Sequence, residues 1–127
     1  MAAPTVLVVE DDPTILALLE VNFEMEGFVV LTAEDGEAGF AVAKEAKPDV
    51  IVSDVMMPKM SGLELVKALR GHNGTKRIPV VLLSAKAQGT DVRNGLESGA
   101  DDYVTKPFEP LDLIDRVNAV LLRSGES

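Results

Sequence analysis

Val50-Ile51-Val52-Ser53-Asp54-Val55-Met56-Met57-Pro58 is an almost unbroken apolar run interrupted by one carboxylate, Asp54. The part ahead of Asp54 follows Pro48 and Asp49, is too short for an ordinary helix and is rich in β-branched residues. That describes a strand buried on both faces. Such strands belong mostly to parallel α/β sheets, where ligands bind outside the carboxyl ends of the strands, and Asp54 would project there. Asp also caps turns and helices near Pro and Gly. Taken alone, Asp54 fits either role.

Outward from this strand the hydrophobic period switches back and forth. Alternating or continuous apolar runs predict strands at Val6 to Val9, Phe28 to Thr32, Pro79 to Leu83 with Ser84 at its end, and Asp102 to Thr105. Between them, helical spacing predicts helices from about Pro13 to Glu26, Gly36 to Lys47, Gly62 to the turn at Gly71-His72-Asn73-Gly74, Thr90 to Ser98, and Pro110 to Leu122. Pro13 suits a first helical turn, and Gly27, Pro48 and Gly99 act as stops. The core faces are expected to be Ala38, Ala41 and Val42 in the second helix, Leu65, Val66 and Leu69 in the third, and Leu111, Ile114, Val117 and Leu121 in the last. Five strands alternating with five helices give an α/β domain with a five-stranded parallel sheet, helices on both faces and right-handed crossovers.

The 127 residues suit a single domain, 1–127, with a core over about 5–122 and a polar tail over 123–127 that is either a terminus or the stump of a linker. With 46% hydrophobic and 4% aromatic residues, the core is built from Val, Leu, Ile and Ala. A net charge of −9 disfavours direct binding to nucleic acid or anionic lipid and suits a cation or a basic partner. There is no Cys and one His, His72, so a structural zinc site is excluded. Met1 to Pro4 lack signal-peptide character and no apolar stretch approaches a membrane span, making cytoplasmic the default location. His72 reads as a solvated helix end, and Met25, Met56, Met57 and Met60 as packing residues.

A parallel sheet gathers Glu10, Asp11 and Asp12 after the first strand, Asp54 after the third, Ser84 after the fourth and Lys106 after the fifth. Carboxylates packed together must raise their pKa values or bind a cation. Oxygen donors without Cys favour a hard ion, magnesium with manganese as a substitute. Capping at the Pro13 helix accounts for one of Asp11 and Asp12 more readily than for both. The acids stand where a phosphate cradle needs glycines, which argues against nucleotide binding. Beside a cation, Asp54 can attack phosphorus in line to give an aspartyl phosphate. Lys106 would add positive charge and Ser84 a hydroxyl donor, since phosphoryl transfer is mainly positioning and electrostatics.

The chain resembles a receiver domain of bacterial two-component response regulators over about Thr5 to Leu122. The resemblance is carried by Glu10-Asp11-Asp12, by Asp54 followed by Met57-Pro58 and Ser61-Gly62, by Ser84-Ala85, and by Tyr103 through Lys106-Pro107-Phe108. It implies a flavodoxin-like strand order 2-1-3-4-5, with Asp54 as phosphoacceptor charged by a sensor histidine kinase or a histidine phosphotransfer protein. It implies that Asp12, Asp54 and the carbonyl of Met56 bind magnesium, with Asp11 acting through water. Ser84 and Tyr103 resemble the family's switch pair, in which the aromatic ring turns inward, and Lys106 would sense the phosphoryl group. Ala85 leaves room beside Asp54, and Lys106 to Pro107 is the candidate cis peptide. Met56 and Lys86 fall where the family varies phosphate loss.

The output implied is a changed surface on the fourth helix, fifth strand and fifth helix that controls an effector protein or a linked effector domain. Gly95 to Phe108 is similar to the subfamily that forms homodimers there, with Asp101 or Asp102 available to pair with Arg116 across the dimer. Val92 stands where that subfamily usually has a basic residue. Two other readings stand beside the switch. A phosphohydrolase would also form an aspartyl phosphate, but its usual second acid would fall at Met56. A degenerate receiver would bind partners without phosphate.

Overall fold

The computed structural model describes residues 3–85 and 89–125; Met1, Lys86 and the last residues of the polar tail lie outside them. The strands are β1 (Thr5–Val9), β2 (Val29–Ala33), β3 (Val50–Asp54), β4 (Val80–Ser84) and β5 (Asp102–Thr105). The helices are α1 (Pro13–Met25), α2 (Gly36–Ala46), α3 (Gly62–Arg70), α4 (Gly89–Glu97) and α5 (Pro110–Gly125). All strand pairs are parallel, in the order β2-β1-β3-β4-β5. The order reverses between β1 and β3, so the loops after those strands diverge and leave a crevice at their carboxyl ends.

Strand alternation divides the core into two layers. Val6, Val8, Val50, Val52, Val81, Leu83 and Val104 face α1 and α5, meeting Leu19, Phe23, Leu113, Ile114, Val117 and Val120. Leu7, Val9, Ile51, Val80, Leu82 and Tyr103 share the opposite layer with Ala43 of α2 and Leu65, Val66 and Leu69 of α3. β3 and β4 are buried at every position, which explains their unbroken apolar sequences. β2 begins at Val29 rather than Phe28, because the Phe28 N–H is taken by Phe23 O at 3.0 Å and the Val29 N–H is the first to reach across, to Pro4 O at 2.9 Å; the Phe28 ring meets Phe23 edge-on at 5.0 Å.

Two helical faces differ from their sequence expectation. In α2 the buried residues are Gly36, Gly39 and Ala43, whereas Ala38 and Ala41 are exposed. Asp35 caps this helix through its side chain to the Ala38 N–H, and a Cβ at Gly39 would stand 2.9 Å from Val9 Cγ2, so the helix packs backbone-close on β1. In α5 Ile114 and Val117 are buried as expected, but Leu111 is 62% exposed and Leu121 only partly buried, and Leu113 and Val120 complete the buried face. Leu111 lies in the first turn, before the helix settles against Val104 and Val81.

Candidate functional site

Register builds the site. Val9 pairs with Ser53, so Glu10 and Asp54 emerge side by side at the ends of β1 and β3. Asp54 itself pairs with Leu83, and Ser84 with Thr105, which carries Lys106 to the same end of the sheet. Asp54 is 6% exposed and Glu10 1% exposed. Lys106 Nζ donates to Asp54 Oδ2 at 3.0 Å and to Glu10 Oε1 at 3.2 Å, linking both carboxylates across the sheet.

Burial pushes the Glu10 carboxyl up from the ordinary 4.5 to about 7, with the Asp54 charge adding to the rise and the Asp12 N–H and Lys106 opposing it. For Lys106, burial pulls the ammonium down, but the hydrogen bond and charge of Asp54, followed by those of Glu10, hold it above its ordinary value. Glu10, Asp11 and Asp54 each bring a carboxylate oxygen to within 4.8 Å of the others. An all-oxygen group with two buried members fits a hard divalent cation, because one ammonium does not neutralise three acids.

Asp12 is placed differently from its expectation as a ligand. Its side chain is the N-cap of α1, with Oδ1 accepting from the N–H groups of Thr14 at 2.9 Å and Ile15 at 3.4 Å. With its carboxylate turned to the start of α1, Asp12 is outside the group of converging oxygens, which Glu10 joins with Asp11 and Asp54. Met56 is 60% exposed just past Asp54. Its loop is braced by Gly62, whose N–H donates to Val55 O at 2.9 Å and whose missing side chain avoids collision with the carbonyl of Asp54 and with Val55 Cα. Ser61 and Glu64 form a capping box that fixes the start of α3 behind this loop.

Ser84 is fully buried at the end of β4, and its carbonyl accepts from the Lys106 N–H at 2.8 Å. Ala85 is exposed, and the Lys106–Pro107 bond is cis. Leu82 pairs with Tyr103 and Ser84 with Thr105, so alternation puts Ser84 and Tyr103 on one face of the sheet. Tyr103 is 6% exposed, its ring turned in toward α4.

The acids proposed for cross-dimer pairing are engaged within the chain. Asp101 Oδ2 accepts from Arg70 Nη2 at 3.2 Å and from the Val80 N–H at 2.8 Å. Arg116 Nη1 lies 3.3 Å from both Asp102 Oδ1 and Tyr103 O, joining α5 to β5. His72 is exposed, with Nδ1 accepting from the Gly74 N–H at 3.1 Å and its ring edge-on to Phe40.

Comparison with known proteins points the same way as the geometry. A family model described as the response regulator receiver domain matches residues 6–118. The chain is 47% identical over 119 residues to the alkaline phosphatase synthesis transcriptional regulatory protein PhoP of Bacillus subtilis, covering 94% of this chain and 49% of that protein. It is 42% identical to the phosphate regulon transcriptional regulatory protein PhoB of Pseudomonas aeruginosa, covering 98% and 55%. The chain thus spans about half the length of the curated relatives it matches. Among solved structures, the receiver domain of the Francisella response regulator 1452 superposes with a TM-score of 0.90 at 40% identity, covering 95% of this chain and 98% of that one. The chemotaxis protein CheY4 of Vibrio cholerae gives 0.88 at 35% identity, covering 94% and 99%. Among the described residues, no helix is long and apolar enough to cross a membrane.

Proposed function

The chain belongs to the response regulator receiver domain family, and from that membership we propose that it is a phosphorylation switch with Asp54 as its phosphoacceptor. The observation that carries this reading is the buried Asp54 held 3.0 Å from Lys106 Nζ, with Glu10 and Asp11 converging on it. The donor is a phosphohistidine on a sensor kinase or a histidine phosphotransfer protein. An Asp54 carboxylate oxygen attacks phosphorus in line, the phosphorus–nitrogen bond breaks, and its electron pair leaves with the imidazole. Lys106 meets the charge of the transferred group, Ser84 donates a hydrogen bond to it, and exposed Ala85 leaves access.

Glu10, Asp11, Asp54 and the Met56 carbonyl would hold magnesium, or manganese in its place, while Asp12 remains the helix cap. Such a cation supplies positive charge against the phosphoryl oxygens. The chemistry is directed only at the protein's own aspartate. Met56 stands where a haloacid-dehalogenase-type phosphohydrolase would carry its second acid, which supports a switch over an enzyme acting on other phosphate esters.

The output surface is α4, β5 and α5, acting on an effector protein or a linked effector domain and able to pair with a second copy. Relatives described as transcriptional regulators, about twice the length of this chain, support an effector that touches DNA in place of this acidic domain. A cytoplasmic location agrees with a kinase partner of this kind. The test is incubation with acetyl phosphate and magnesium, followed by intact mass. One phosphoryl group is expected on the wild type and none on Asp54→Asn; label acquired by Asp54→Asn at the wild-type rate would sink the assignment.

A further inference from the structure

Gly95 is buried on the inner side of α4 although its backbone is ordinary helix, where glycine is unfavourable and nothing in the chain direction requires it. What requires it is Tyr103. A Cβ at Gly95 would lie 2.5 Å from Tyr103 Cδ2, 2.9 Å from Cε2 and 3.4 Å from Leu82 Cδ1. The first two separations are far inside the contact distance of about 3.5–4.0 Å between carbon atoms. The ring therefore occupies the volume that any side chain at position 95 would need. Among the described residues, α4 meets the core through buried Gly95 and half-buried Val92. The ring belongs to the core layer that includes Leu82, Val66 and Ala100.

We infer that Gly95 is a positioning residue of the switch, its missing side chain forming the seat in which the Tyr103 ring lies inward beneath α4. The inference rests on the reading of Ser84 and Tyr103 as the switch pair. A methyl group at position 95 drives the ring out, because rotating one side chain is easier than shifting Leu82 and the helix together. Gly95 touches neither Asp54 nor Lys106, so phosphoryl acceptance survives while the path from β4 through the ring to α4 is cut.

Tyr103 is the single tyrosine and the chain has no tryptophan, so intrinsic fluorescence reports this ring alone. Acrylamide quenching would be compared in wild type and Gly95→Ala, each free and with magnesium and beryllofluoride. The quenching constant is expected to rise severalfold in Gly95→Ala under both conditions. To separate seating of the ring from folding, the same substitution is also made in Tyr103→Ala protein and followed by urea midpoint. It should lower the midpoint beside tyrosine and raise it in the Tyr103→Ala background, where the clash is gone and the gain in helix propensity remains. Equal shielding in wild type and Gly95→Ala, or equal midpoint shifts in the two backgrounds, would overturn the inference. Labelling by acetyl phosphate runs in parallel and should match the wild-type rate. No labelling of the wild type overturns the phosphoacceptor reading, and the quenching comparison still decides the seat.

Discussion

Lys106 and Asp54 form an ion pair at 3.0 Å although they lie at the ends of β5 and β3, with β4 between those strands. The lysine also reaches Glu10, the residue after β1, at 3.2 Å, so one ammonium faces two buried carboxylates. Removing one partner from such a group leaves the other charges uncompensated, which typically costs about 3–5 kcal/mol in a buried pair. Lys106→Met is expected to lower the urea midpoint in metal-free protein. Magnesium should restore more stability to the variant than to the wild type, since it replaces part of the lost charge. Equal magnesium gains in the two proteins would show that Lys106 and the cation do not share the site.

Asp11 and Asp12 are neighbours with separable roles. Asp12→Ala removes an N-cap that serves two N–H groups and should destabilise the protein by about 1 kcal/mol, with Asp12→Ser recovering most of it. Its magnesium affinity should be nearly unchanged. Asp11→Asn should do the reverse, weakening magnesium at least tenfold while leaving the midpoint in chelator unchanged or raised, because it removes one of three mutually repelling charges. Titration calorimetry and urea denaturation on the same samples decide between this division and the opposite one.

Why these two acids are hard to separate by eye is a matter of a single residue of register. Asp54 and Lys106 were legible because the carboxyl ends of parallel strands converge whatever the details of the loops. Glu10, Asp11 and Asp12 are consecutive, and which one closes the strand and which opens the helix depends on the pairing of Val9 with Ser53. The phase of α2 was obscured for a related reason: its fully buried positions are two glycines and Ala43, which carry little hydrophobic signal, while Phe40 and Val42 are only partly buried against the core. The seat at Gly95 left no trace at all, because a glycine inside a helix reads as a defect until its neighbour across the core is known.

Glu10 makes metal-free stability depend on pH. Its carboxyl titrates near 7 when folded and near 4.5 when unfolded, so between those values the folded protein binds more protons. Stability from this group therefore falls as pH rises from 4.5 to 7, with no penalty below that window and the full penalty above it. The penalty is on the order of 3 kcal/mol at most. Glu10→Gln cannot ionise and keeps one acceptor oxygen, for Lys106; its NH2 replaces the oxygen that accepts from the Asp12 N–H, a loss that is the same at every pH. In chelator, the wild type should lose stability relative to Glu10→Gln between pH 5 and 8, as measured by urea midpoints. Parallel pH profiles for the two proteins would refute this account of Glu10.

Gly62 and Gly71 bound α3 and make opposite predictions for the same substitution. A Cβ at Gly62 would run into the Asp54 carbonyl and stand 2.9 Å from Val55 Cα, backbone atoms that cannot rotate away. At Gly71 an added Cβ would meet nothing nearer than Lys67 O at 3.5 Å, and the residue has helical angles of −85° and −2°. Alanine is favoured over glycine in a helix by about 1 kcal/mol, so Gly71→Ala should be neutral or stabilising. Gly62→Ala should destabilise in spite of the same propensity, because the Asp54 to Met56 backbone must move. That movement would also displace the Met56 carbonyl proposed as a magnesium ligand, so Gly62→Ala should weaken magnesium binding and slow labelling of Asp54, and Gly71→Ala should do neither. Unaltered magnesium affinity in a folded Gly62→Ala would mean that the loop tolerates the shift and that the Met56 carbonyl is not a ligand.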